Sequence, residues 1–185
     1  MIVDIHTHLG WYPDHRSKQT AEEALASKLV KMEFSGGEVY SAKLDLHSYD
    51  SRPEDHWAAS EPADKVVVFG LSARPTGFFV PNEIIAEYVA QHPDKLIGWA
   101  SVNPTDDDAI DQLTYCVQDL GLRGLKLGPT YQHFDPTDRR YWPFFAKCVE
   151  LDIPTIWHQG TTFPSSARLR WALPLLLEDV AMDFP

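Results

Sequence analysis

The chain opens with Val3-Asp-Ile-His-Thr-His8, a short β-rich run that ends in two histidines. Residues 2–5 have the mostly apolar, β-branched composition that is typical of a buried strand. Four further runs of this kind follow, at residues 66–69, 96–102, 122–127 and 153–157. Segments with helical periodicity lie between and after them, at residues 21–32, 82–91, 106–120, 139–151 and 169–182. Strand therefore alternates with helix five times along the chain.

The spacing of these runs predicts an α/β fold with parallel strands. The last four strands begin about 25 to 31 residues apart, which is the size of a βα unit with a right-handed crossover. Two architectures fit this rhythm: an open doubly wound sheet of five strands, and a (β/α)8 barrel, which needs eight units and about 250 residues. A chain of 185 residues has room for five of the eight units. Both architectures stay open on spacing alone: the five strands could form a complete doubly wound sheet, or residues 1–185 could be the N-terminal part of a single TIM-type barrel.

The connection between the first and second strands is much longer than the later ones. Residues 9–64 are predicted to form a loop and helix insertion over the site, because loops of this length are usually functional or disordered. Three histidines fall in it, and His15, His47 and His56 are expected to lie on the surface.

Composition excludes several classes of protein. The chain has 44% apolar residues, which is enough for one sizeable core and too many for a disordered tail. Sixteen Lys and Arg against 27 Asp and Glu give a net charge of -11, which disfavours nucleic acids and anionic membranes as partners. Apolar runs are far shorter than the roughly 20 residues of a membrane span, and no targeting signal is visible. Cys116 and Cys148 have neither disulfide nor zinc spacing, so a cytoplasmic location with reduced core thiols is expected.

The first strand carries the strongest chemical signal. Successive side chains of a strand alternate between its faces, so Asp4, His6 and His8 share one face, with the two imidazoles nearest the carboxyl end. Two histidines in this relation can both reach one ion. The alternative is a pair of histidines near a chain terminus with no role, but inward positions are rarely occupied by titratable rings that have no partner.

The fifth strand ends in a third histidine. His158 follows the apolar run 153–157 and is expected in the same layer as His6 and His8, because parallel α/β proteins place their sites at the carboxyl ends of strands. Three neutral imidazoles suit Zn(II), with Fe(II), Mn(II) and Co(II) as alternatives. A divalent ion there would acidify a bound water and polarise a carbonyl group.

Two further residues are candidates at the fourth strand. Lys126 lies on the same face as Leu122 and Gly124, so it would point inward near the mouth of the barrel. An inward lysine beside a cation binds an anionic substrate, loses its charge or is carbamylated into a ligand; the alternative is a side chain that extends to water. Lys126 is therefore a candidate catalytic residue with an open role, and His133 a candidate substrate contact.

Four motifs occur in an order that resembles the amidohydrolase superfamily, most closely the amidohydrolase-2 branch with its aminocarboxymuconate semialdehyde decarboxylase-like enzymes. They are Asp4-Ile-His-Thr-His8, Leu96-Ile-Gly-Trp-Ala-Ser-Val-Asn-Pro104, Gly124-Leu-Lys-Leu-Gly-Pro129 and Ile153-Pro-Thr-Ile-Trp-His158.

The resemblance implies a (β/α)8 barrel that holds one divalent metal, often zinc, on His6, His8 and His158. The family also places a catalytic histidine after strand six and an aspartate after strand eight, and the sequence has no counterpart of either. It ends at Asp183-Phe-Pro185, where strand six would follow. We therefore expect these residues to be a fragment of a longer chain.

Three functional hypotheses follow. The first is a metal-dependent hydrolase that uses an activated water on a lactone, ester or amide of a small carboxylated metabolite. The second is a metal-dependent nonoxidative decarboxylase of an aromatic or muconate-type acid. The third is an inactive fragment, lacking strands six to eight, that binds metal weakly. A small carboxylated substrate is the expected partner, and a homo-oligomer is possible.

Overall fold

The computed structural model describes residues 1–34 and 44–185. Its strands are β1 Val3–His8, β2 Lys65–Phe69, β3 Ser72–Ala73, β4 Phe78–Phe79, β5 Leu96–Gly98, β6 Leu125–Leu127 and β7 Thr155–Trp157. Its α-helices are α1 Lys18–Phe34, α2 Pro53–Ala59, α3 Asn82–Gln91, α4 Ala109–Gln118, α5 Pro129–Gln132, α6 Trp142–Glu150 and α7 Glu178–Asp183. Strands and helices thus alternate as the sequence predicts. The last three predicted strands are shorter than expected, and the antiparallel pair β3–β4 was not predicted.

The order of the parallel strands distinguishes the two predicted architectures. Strands β1, β2 and β5 form one hydrogen-bonded set, β6 and β7 form another, and a parallel bridge between Ala100 and Leu125 joins the two sets. Each major strand therefore lies beside the next one in the chain. A doubly wound sheet reverses its strand order at a switch point, and these strands do not. The fold is the first five units of a (β/α)8 barrel, as predicted.

The core is centred on the middle strands. Val66, Val68, Leu125 and Leu127 have no exposed surface, and helices α3, α4 and α6 pack against them through apolar side chains such as Leu113. Burial of this apolar surface is the main favourable contribution to folding.

The two end strands differ from the prediction that all five runs are buried. Ile5 in β1 is 60% exposed, and β7 is only partly buried. Each of these strands pairs with one neighbour among the described residues, so one side of the strand has no strand beside it.

The predicted helix at residues 169–182 is wrong for its first half. Two 3-10 turns occupy Leu169–Trp171 and Pro174–Leu177, and α7 follows. Pro174 accounts for the break, because proline has no N–H to donate and disfavours helical geometry at the residue before it. Leu173 accordingly has an extended ψ of 123°.

The long insertion contains α1 and α2, while residues 35–43 lie outside the described residues. The expectation that its histidines lie on the surface is wrong for His15 and His56, which are 5% and 6% exposed, and right for His47. Cys116 and Cys148 are free and buried, as expected. No helix in the described ranges combines the length and apolar character needed to cross a membrane.

Candidate metal centre

The two histidines of β1 face each other at its carboxyl end. Their Nε2 atoms lie 3.2 Å apart. Two nitrogens bound to one tetrahedral zinc ion at about 2.0–2.1 Å would be separated by roughly 3.3 Å. The spacing of this pair therefore fits two ligands of one ion, and it follows from strand geometry, because residues i and i+2 share a face.

The third histidine lies at the end of β7. The Nε2 atom of His158 is buried, and no described residue is its hydrogen-bond partner. The backbone of Thr161 favours the protonated ring, but burial outweighs this effect and lowers the pKa of His158. A half-buried imidazole with a free, buried nitrogen at the carboxyl end of a strand can serve as a metal ligand.

The three imidazoles do not form a single coordination group in this structure. Within the described ranges, no three His, Cys, Asp or Glu side chains lie close enough together to hold an ion. The residue types and the free nitrogens fit a divalent metal, but His158 must approach the His6–His8 pair to complete such a site.

Desolvation favours the neutral form of these imidazoles, although His6 and His8 keep exposed surface and His158 is only half-buried. It lowers the pKa of His8 to about 3, and it also lowers the pKa values of His6 and His158. The positive charge of Lys126 is the second cause in all three cases. A metal binds only the neutral ring, so the environment prepares all three for ligation.

Lys126 lies beside the histidine pair. Its side chain is buried, which excludes the alternative that it extends to water, and burial lowers its pKa to about 8. Nζ lies 3.3 Å from Nε2 of His6. An ammonium group can only donate, so it uses the His6 lone pair that a metal would need. Lys126 would therefore turn from His6 toward the cavity when an ion is bound.

His133 lies further from this group. It ends α5 in a left-handed conformation with φ 61°, and its Nε2 bonds the carbonyl of Ser166 at 2.9 Å. It does not appear among the described residues that line the site cavity. Its predicted contact with substrate is not supported by this placement and stays a prediction.

A buried hydrogen-bond chain holds β1 between its two histidines. The Thr7 hydroxyl donates to the carbonyl of Val67 at 2.7 Å, so its oxygen accepts from Nε2–H of His56, also at 2.7 Å. Nδ1 of His56 then accepts from the Tyr88 hydroxyl at 2.9 Å. The neutral ring satisfies all of these bonds. Sequence reasoning missed this chain because its members are far apart in the sequence.

This chain predicts a pH-dependent stability. Burial lowers the pKa of His56 below its usual 6.5, so the unfolded chain takes up a proton there at a higher pH than the folded protein. The stability is present above pH 6.5 and falls as the pH drops below it. In urea unfolding at a series of pH values, His56→Gln should reduce the slope of unfolding free energy against pH by up to about 1.4 kcal/mol per unit. Equal slopes for the two proteins would mean that His56 takes up its proton at the same pH in the folded and the unfolded chain.

The site cavity lies beside these groups and has a volume of about 230 Å³. His8, Lys126 and His158 line it together with Arg16 and aromatic side chains. Arg16, from the insertion, is a residue that sequence reasoning missed; its Nη2 pairs with Asp50. The cavity is small against the about 300–1,000 Å³ of pockets for drug-sized ligands, so a ligand of one ring suits it.

The structure has five βα units in barrel order, and histidines lie at the carboxyl ends of the first and fifth strands. This is the arrangement of (β/α)8-barrel proteins, which carry their functional sites at the carboxyl ends of the strands. The amidohydrolase family profile matches residues 3–185. The chain belongs to the amidohydrolase family, in its amidohydrolase-2 branch.

Relatives of known activity include a decarboxylase and a hydratase. Gamma-resorcylate decarboxylase of Rhizobium radiobacter is 31% identical over 103 residues, which are 52% of this chain and 32% of that protein. The 2-keto-4-carboxy-3-hexenedioate hydratase of a Sphingobium species is 35% identical over 86 residues, 42% of this chain and 25% of that protein. The matches thus span about a third or less of these relatives.

A solved structure shares the fold. The 5-carboxyvanillate decarboxylase of Novosphingobium aromaticivorans, crystallised with manganese and 4-hydroxy-3-methoxy-5-nitrobenzoic acid, has a TM-score of 0.60 at 15% identity. The superposition covers 97% of this chain and 55% of that one.

Proposed function

We propose that the protein containing this sequence is a metal-dependent nonoxidative decarboxylase of a small carboxylated aromatic acid. The ion would be held by His6, His8 and His158. The observation that carries the proposal is the His6–His8 pair, with Nε2 atoms 3.2 Å apart, next to a small cavity with aromatic walls. The names of the resorcylate and carboxyvanillate decarboxylases support this reaction class.

The reaction is a replacement of carbon dioxide by a proton. The bond between a ring carbon and the carboxylate carbon breaks, its electron pair stays on the ring carbon, and a proton is added there. A divalent ion would supply a Lewis acid that stabilises negative charge on the substrate. Zinc suits three imidazoles, and the manganese of the structural neighbour makes Mn(II) the alternative.

The chain's own residues would bind and orient the acid. Lys126 contributes a positive charge at the cavity wall, where burial strengthens its attraction for a carboxylate. Phe78 and Tyr131 form an edge-to-face pair with ring centroids 5.7 Å apart in the same wall. Their apolar faces would hold a planar ring and exclude water from it.

Hydrolysis remains a second candidate function. The hydratase relative supports it only as far as water is a reactant. Hydration adds water to a double bond, whereas the first hypothesis drawn from the sequence is hydrolysis of a lactone, ester or amide. The inactive-fragment hypothesis concerns residues 1–185 alone and not the proposed activity of the whole protein.

One experiment separates the first two candidates. The whole protein, loaded with zinc or manganese, is incubated in isotopically labelled water with gamma-resorcylate and, in a parallel reaction, with a lactone of a small carboxylic acid. Decarboxylation predicts release of one carbon dioxide per aromatic product from gamma-resorcylate and no opening of the lactone. Opening of the lactone with labelled oxygen in its product, and no carbon dioxide from gamma-resorcylate, would instead establish hydrolysis and overturn the proposal.

A further inference from the structure

The charges that line the site cavity are all positive. Arg16 and Lys126 both reach it, and the described residues of its wall include no Asp or Glu. This contrasts with the whole chain, whose net charge is -11. Such a cavity attracts an anionic ligand, whereas the negatively charged surface elsewhere on the protein repels one.

The Arg16 guanidinium has unused donors. Its side chain is 7% exposed, its Nη2 pairs with Asp50, and its Nε–H is buried without an acceptor among the described residues. Buried donors without partners are rare in folded proteins and call for a specific explanation. Arg16 lines the cavity, and a planar guanidinium in a cavity wall is well shaped to bind a carboxylate.

Asp50 is not a dedicated partner of Arg16. Its carboxylate also accepts from the backbone N–H of Tyr12 and from Nδ1 of His47, and it lies 3.7 Å from the Arg52 guanidinium. Water screens the charge of the partly exposed Arg52 more strongly than that of the buried Arg16, so the charge at the cavity is mainly that of Arg16. His15, also in the wall, has its pKa lowered by burial and adds no charge at neutral pH.

The remaining wall is aromatic. Phe78 packs edge to face against Phe163 at 6.0 Å, and Phe163 stacks on Tyr49 at 6.1 Å between ring centroids. All three line the cavity. Such a wall selects a flat, unsaturated ring rather than a flexible aliphatic acid.

We propose that Arg16 is the anion-binding residue of this cavity. Its guanidinium donates to the carboxylate or an ionised hydroxyl of a planar aromatic acid, whose ring lies against Phe78 and Phe163. The inference rests on the proposed function for the orientation of that acid toward His6 and His8. The alternative is that Arg16 has a purely structural role, in which its ion pair with Asp50 holds two parts of the insertion together.

Binding of a charged probe and of its neutral counterpart tests the assignment. The zinc-loaded whole protein is titrated calorimetrically with gamma-resorcylate and with gamma-resorcylamide, using the wild type, Arg16→Gln, Arg16→Lys and Arg52→Gln. Arg16→Gln should weaken binding of the acid by about 10- to 100-fold, which is the loss expected for hydrogen bonds to a charged group. It should change the affinity for the amide by no more than about 2-fold. Arg16→Lys should fall between the two.

Arg52→Gln is the matched control. It removes an equal charge beside the same carboxylate, but Arg52 is not among the described residues of the cavity wall. It should change acid binding by less than about 3-fold, since partly exposed charges are well screened.

Several results would overturn the assignment. They are unchanged acid binding in Arg16→Gln, an equal loss for acid and amide, or no binding of the acid by the wild type. The decarboxylase proposal fails separately: a wild type that binds the acid through Arg16 but releases no carbon dioxide would leave this inference standing.

Discussion

Replacing His158 by alanine is expected to abolish both metal binding and decarboxylation. His158 supplies the free, buried Nε2 that would complete the site begun by His6 and His8. Bound metal, measured by elemental analysis after dialysis, should fall from about one ion per chain to a small fraction of that. The rate should fall by at least about 100-fold, because Lewis-acid stabilisation is worth several kcal/mol and each 1.36 kcal/mol is a factor of ten.

His92→Ala is the control for this experiment. His92 follows α3, stacks on Trp57 at 3.7 Å and is not in the described wall of the site cavity. Its metal content and rate should match the wild type. A His158→Ala protein that keeps its ion and its rate would show that the site uses other ligands.

Replacing Gly77 by alanine is expected to destabilise the fold by about 2–5 kcal/mol. Gly77 has φ +77°, and an added Cβ would lie 2.9 Å from Cβ of Ser17 and closer still to the hydroxyls of Ser17 and Thr20. The left-handed backbone costs about 1–2 kcal/mol and the overpacking about 1–3 kcal/mol. The position matters to the site because Gly77 precedes Phe78 of the cavity wall.

Gly121→Ala separates these two costs. Gly121 has φ +70°, but nothing lies within 4 Å of a built Cβ, so only the backbone cost applies. Urea unfolding should show a loss of about 1–2 kcal/mol for Gly121→Ala and a clearly larger one for Gly77→Ala. Equal losses would mean that α1 moves away without cost and that its contact with Gly77 is not tight.

The sequence predicts the fold because its signals are local and repeated. Each apolar run is followed by a helical segment at nearly constant spacing, and this rhythm is sufficient for parallel strands. The choice between a barrel and a doubly wound sheet could not be made from spacing, since both use the same unit. It depends on which strands are neighbours, and the Ala100–Leu125 bridge supplies that information.

The candidate site is predictable only in part. The pairing of His6 with His8 follows from strand alternation, and the position of His158 from the end of its strand. Arg16 and His56 were missed because their roles depend on how residues 9–64 fold back over the barrel, and no periodic pattern specifies that. The weak signal for Arg16 was a basic residue shortly after the His6–His8 motif in an acidic chain.

Anomalous X-ray scattering at the zinc edge, from crystals of the whole protein grown with zinc, tests the metal centre most directly. We expect one strong peak about 2.0–2.1 Å from an imidazole nitrogen of each of His6, His8 and His158, with Nζ of Lys126 displaced from His6. A peak bound elsewhere, or no peak at these three rings at full zinc loading, would contradict the assignment of the site.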